Sequence, residues 1–193
     1  MSDHQSHEEV AACLSPEGPT LVVALWLRAV FELARWDRAA AQCTPELRLA
    51  VAQAFVHRGL ESGILPQGCS SDVADALAAG DTAQAQWPLF ERSVLAHLAG
   101  YDVGRTGRFS VGSRPRVLDA RHELVVVVPS AALTGPETHI SGVGPAKELN
   151  SASASALPCW PLAVRRAPLL SPGWLVAGWR GRQLPQPGWP PVL

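Results

Sequence analysis

The sequence predicts an α+β fold in which N-terminal helices pack in the concave face of a curved antiparallel sheet. Three observations carry this expectation. The run from Leu21 to Trp36 is apolar on nearly every side, with Arg28, Glu32 and Arg35 as its one polar stripe. Past Gly104 the pattern changes from helical spacing to short β-rich segments punctuated by Gly112 and Pro115. The chain then closes on Gly173-Trp174-Leu175-Val176-Ala177-Gly178-Trp179 and Pro187-Gly188-Trp189-Pro190-Pro191. A helix apolar over most of its circumference must be surrounded, here by sheet on one side and helices on the other.

At 193 residues and 47% apolar, the chain is long enough for one domain with a sizeable core. The expected organisation is a flexible tail over residues 1–14 and a single domain over 15–193, carrying a mobile insertion at 129–158. That insertion holds Gly142-Val143-Gly144 and Ser151-Ala152-Ser153-Ala154-Ser155, small residues with little to bury. A net charge of −1 leaves no basic footprint for nucleic acid and no polybasic segment for anionic lipid. The four cysteines, Cys13, Cys43, Cys69 and Cys159, are scattered without a CxxC and read as reduced packing thiols. The first residues lack the apolar stretch of a signal peptide, and Leu21 to Leu27 is too short to span a bilayer, so a cytoplasmic protein is expected.

Ser15-Pro16-Glu17 opens the first helix with a capping serine, an early proline and an acid near the positive end. Trp36-Asp37 breaks the run and starts a short helical turn. Thr44-Pro45-Glu46 repeats the opening signature, Leu47, Ala50, Val51, Ala54 and Phe55 share one face, and Gly59 is the expected stop. After a 63–71 loop, Ser71 or Asp72 caps a helix that Gly80 ends. Pro88 begins another, with Phe90, Val94, Leu95 and Leu98 inward and Gly100 at its end.

In the second half, Asp119-Ala120-Arg121-His122 is a turn and Glu123 to Val128 a strand. Four consecutive valines leave neither face polar, so both faces are covered, the outer one by a second subunit in a homodimer or by the chain's own tail. Cys159 to Arg166 and Trp174 to Trp179 pair as a hairpin, and the proline-rich end can fold Trp189 back onto the body.

These segments, in this order, resemble the NTF2-like superfamily in its SnoaL-like branch. The resemblance rests on Leu27 to Phe55 with its Trp-Asp break, on Gly112-Ser113-Arg114-Pro115-Arg116 leading into the valine strand, and on the two closing segments. It covers rather more than half the chain and implies a cone with a cavity open at one end. It does not imply a reaction, because members include isomerases, cyclases, dehydratases, epoxide hydrolases and proteins that only bind. The family's catalytic patterns are incomplete here. The first helix has no tyrosine, and Asp119, Arg121 and Glu123 cluster at one turn.

The candidate acid–base residues are therefore Tyr101 and Asp102, at the junction of helix and strand, and His122 beside Glu123. A phenol packed at a rim, an Asp making a turn and a histidine in solvent are their bland readings. Trp26, Trp36 and Trp174 are first of all core, and as ligand-binding residues would line the cavity. Arg165 would hold a ligand carboxylate or phosphate if it pointed inward, where it would need a partner such as Glu32. Asp37 reads as a helix cap, and His4 with His7 as part of a solvated tail. No metal site, cofactor motif, Walker loop, HExxH or GxSxG is present. The expected activity is binding of a small apolar molecule, with a metal-independent acid–base enzyme and a sheet-face interaction module as alternatives.

Overall fold

The computed structural model describes residues 18–101, 109–111, 115–129, 160–167 and 173–193. The Ser15 opening, His4, His7, Cys13, Asp102, Cys159 and nearly all of the 129–158 insertion lie outside the described residues. Helix α1 spans Pro19–Leu27 and runs directly into a π turn, Arg28–Glu32. Short α2 is Trp36–Ala40, α3 is Pro45–Glu61, α4 is Ser71–Ala79 and α5 is Trp87–Ala99. Strands follow: β1 Phe109–Val111, β2 Arg116–Val117, β3 His122–Pro129, β4 Trp160–Arg166 and β5 Trp174–Gly178. The chain is α+β, helices first, as the sequence implies.

The apolar rod is shorter than the hydrophobic run. It stops at Leu33, and Ala34 turns left-handed at φ 49° before Trp36 starts α2. The Arg35 amide reaches back to the Ala29 carbonyl at 2.9 Å, a Schellman-like closure widened by the π turn. Nor is the rod enclosed all round. Leu21, Leu25, Arg28 and Glu32 follow one stripe facing solvent, with Leu25 38% exposed. Its other faces bury Val22, Val23, Trp26, Leu27 and Val30, and α1 contacts β1, β3, β4 and β5. The helix therefore lies against the sheet as expected, but it is not surrounded, which corrects the expectation of an enclosed rod.

Helix α3 begins as the sequence says: Thr44 Oγ1 accepts the Leu47 amide at 3.2 Å, with Pro45 in the first turn. It does not stop at Gly59. The helix continues to Glu61, and Gly59 is there because Leu65 folds over it. A Cβ at that position would meet Leu65 carbon atoms at 2.6 Å. Gly80, at φ 84°, does end α4, whose N-cap is Ser70 rather than Ser71 or Asp72.

The antiparallel sheet has the order β1-β3-β4-β5, with β2 also pairing β3. Leu124 stands opposite Ala163, and Val127 opposite Trp160, so alternate residues divide cleanly between two faces. Val125, Val127, Leu162, Val164 and Val176 enter the main core with the helices. Leu124, Ala163 and Ala177 form a small outer cluster covered by Leu118 and Leu184 of the same chain. At the sheet edge the Val176 amide donates to Gln42 O (2.7 Å), and the Thr44 amide to Val176 O (2.8 Å). The tail returns to α3, where Gln53 Oε1 accepts the Gly188 amide at 2.8 Å and Trp189 sits 6.2 Å from the His57 ring.

Candidate functional site

The described residues place most candidate aromatics in packing. Trp26 has no exposed surface. It stacks on Trp179 at 6.0 Å and tilts against Trp160 at 5.7 Å. Its indole nitrogen has no hydrogen-bond partner among the described residues and lies close to the Cys43 sulfur. Trp36, 1% exposed, sets its edge against Trp179 and Phe90. Such ring pairs contribute about 0.5–1.5 kcal/mol beyond the area they bury. Tyr101 stacks on Trp160 at 4.8 Å, nearly parallel, and meets His97 edge-on. Burial, with Arg58 and Arg180 nearby, lowers the His97 pKa and favours the neutral ring.

His122 lies elsewhere. Both Asp119 carboxylate oxygens sit 2.9 Å from its Nδ1, and Asp119 Oδ1 also accepts the Arg121 and His122 amides, the expected turn. The Arg121 amide and His122 together hold the Asp119 carboxyl below its usual range. His122 pairs with Arg165 and Val127 with Trp160. Five residues of strand separate the two, about 16 Å. Tyr101 and His122 therefore sit towards opposite ends of the sheet and do not meet. Glu123 turns to the inner face, where burial raises its pKa against the pull of Arg166.

Arg165 points to the outer face, in register with His122, and forks onto Glu46 with both contacts at 3.0 Å. It holds the Glu46 carboxyl below the usual range. The inward alternative with Glu32 gives way, since Glu32 pairs with Arg28 at 3.4 Å. Trp174, half-buried, is at the same sheet end, opposite Arg166. Asp37 sits in the first turn of α2 and takes two bonds from Arg35, which lower its pKa. Cys43 is buried and donates to Ala39 O at 3.3 Å, and burial pushes its thiol up to about 12, so it carries no thiolate at neutral pH.

A ligand-sized space opens beside the tryptophan core. The π turn and α5 form a groove of about 880 Å³ lined by Val30, Phe31, Ala34, Glu91, Arg92 and Leu95, together with small, solvent-exposed Ala96, Ala99 and Gly100. It exists because the rod ends one turn early. The left-handed Ala34 redirects the chain, and Trp36 then closes back onto α5 at Glu91 and Phe90. Phe31 forms its back wall, edge-on to Trp160 at 6.2 Å.

Two charged residues stand in this groove. Glu91 Oε1 accepts the Trp36 amide at 2.9 Å, supplying the α2 N-terminus with the acceptor that its own cap lacks. Sequence reading missed Glu91 and Arg92. Their only signal is position: they flank the Trp87, Phe90, Val94, Leu98 stripe that anchors α5. Among the described residues no group of three metal-ligating side chains comes together, and no helix is long and apolar enough to cross a membrane. No protein-family model, curated protein or solved structure matches the chain.

Proposed function

We propose that this chain binds a small apolar molecule in the groove between the π turn and α5. In this reading the sheet curves around α1 as an NTF2-like cone, and the groove is its open end. The observation that carries it is the groove itself: about 880 Å³, mainly apolar, with half-buried Phe31 and Leu95 beside small residues of α5. Ligand sites are typically about 300–1,000 Å³, apolar, with a few polar groups. Two further features support it. π turns concentrate at functional sites, and a left-handed non-glycine residue is a strained conformation that persists where the surroundings demand it. Behind Phe31, the Trp160, Trp26 and Tyr101 rings give the wall a rigid backing. The tryptophans thus support the site rather than line it.

The acid–base alternative has one observation in its favour, the Asp119–His122 pair. Binding ranks ahead because Tyr101 lies at the other end of the sheet. A homodimer through the outer face, in a cytoplasmic protein, completes the reading, resting on half-buried Val126 and Val128.

The test is a titration with N-phenyl-1-naphthylamine, a neutral apolar dye that brightens when it leaves water. Saturable binding at micromolar concentration is expected, abolished by Ala96→Trp and retained by Ser93→Trp on the exposed side of the same helix. No saturable binding, or binding that Ala96→Trp leaves unchanged, refutes the assignment.

A further inference from the structure

We infer that the ligand of this groove carries a single negative group, a carboxylate or its equivalent, anchored by Arg92; this rests on the binding reading above. Charge bookkeeping around the groove selects Arg92. The neighbouring charges are already engaged with one another. Arg28 pairs with Glu32, and Arg35 pairs with Asp37. Glu91 takes the Trp36 amide and lies within the field of Arg35. Arg92 lines the groove, and no hydrogen bond or ion pair joins it to any described residue.

The chemistry follows from that placement. A guanidinium presents a planar fork of donors that matches a carboxylate in two parallel bonds. Here the exposed Arg92 lines the same groove as the apolar Val30, Phe31 and Leu95. An amphiphile with an acidic head and an apolar body satisfies both parts at once. A cationic head would be repelled by Arg92, and one Glu91 carboxylate oxygen is already taken by the Trp36 amide. A wholly neutral molecule would leave the exposed guanidinium to water and gain nothing from it.

Displacement of the neutral dye by dodecanoate and by dodecanol, matched in chain length, tests this on the full chain. Dodecanoate is expected to compete about tenfold better than dodecanol in the unaltered protein, in the range of one charge-assisted bond at a partly exposed site. Arg92→Gln should erase that advantage and Arg92→Lys should keep part of it. Raising the salt should shrink it, with each compound's competition expressed relative to the dye affinity measured for the same protein. Equal competition by the two compounds in the unaltered protein, or an advantage that survives Arg92→Gln, overturns the inference and leaves apolar binding standing. Failure of the dye to bind the unaltered protein overturns both.

Discussion

Ala34→Gly should stabilise this protein, whereas Ala96→Gly, the same chemical change on the opposite wall of the groove, should destabilise it. The left-handed region costs an L-residue about 1–2 kcal/mol through the clash of Cβ with the backbone, and Ala34 sits there at φ 49°. Glycine removes that cost and adds about 0.4–1 kcal/mol of unfolded-chain entropy. The net gain is about 0.5–1 kcal/mol. Ala96 is a solvent-exposed residue in the interior of α5, with neither strain to relieve nor a large contact to lose. Glycine there costs about 1 kcal/mol of helix propensity. The two variants should therefore differ by about 1.5–2 kcal/mol. Urea unfolding followed by tryptophan fluorescence reads this as midpoints moved in opposite directions at constant slope. Two midpoints moved down together would refute the argument that the helix ends by a strained turn.

Gly59→Ala should destabilise by about 1–3 kcal/mol despite the better helix former, since the new methyl overlaps Leu65 at 2.6 Å. Adding Leu65→Ala should make the Gly59→Ala step much cheaper, which a double-mutant cycle of urea midpoints measures. A pH effect is expected from His97. Its folded pKa is lowered below the ordinary 6.5, so the unfolded chain takes up the proton first as pH falls. The His97 contribution is thus complete above about pH 6.5 and is lost as pH falls from there through the lowered folded value. His97→Gln should flatten the stability profile between about pH 7.5 and 5.5, and an unchanged slope would count against the buried neutral ring. Cys43, with its thiol raised to about 12 and no exposed path, should resist iodoacetamide at pH 8 until the protein unfolds. Mass spectrometry of the native protein checks this, and rapid alkylation at Cys43 would contradict it.

How much was legible in the sequence can be argued residue by residue. Thr44-Pro45-Glu46 is a local signal, and α3 starts there because capping needs only three or four neighbouring residues. Gly80 closes α4 for the same local reason. The β4–β5 pair follows from two short apolar, β-prone runs separated by a segment bounded by Pro168 and Gly173. The rod failed at its C-terminal end because its stop uses Ala34, not the glycine or proline that marks most stops. Gly59 misled for the converse reason: its neighbour Leu65 comes from beyond the helix, so a packing requirement looked like punctuation.

The candidate site was less legible, because chemistry in a folded chain depends on which residues meet. Tyr101 and His122 both looked like acid–base residues, yet sheet register sends them towards opposite ends. Arg165 was ambiguous because side-chain direction in a strand is decided by the partner strand. Once His122 stands opposite it, the arginine faces outward and reaches Glu46. Glu91 gives no signal of its own, since its partner, the Trp36 amide, is 55 residues away. Periodicity and capping thus determined by themselves the class of fold, the order of elements and the burial of the rod against a sheet. Tertiary structure alone decided where the rod ends and which side chains share a space. The physical reason is range: propensity and capping act over a few residues, whereas a groove exists only between surfaces that folding brings together.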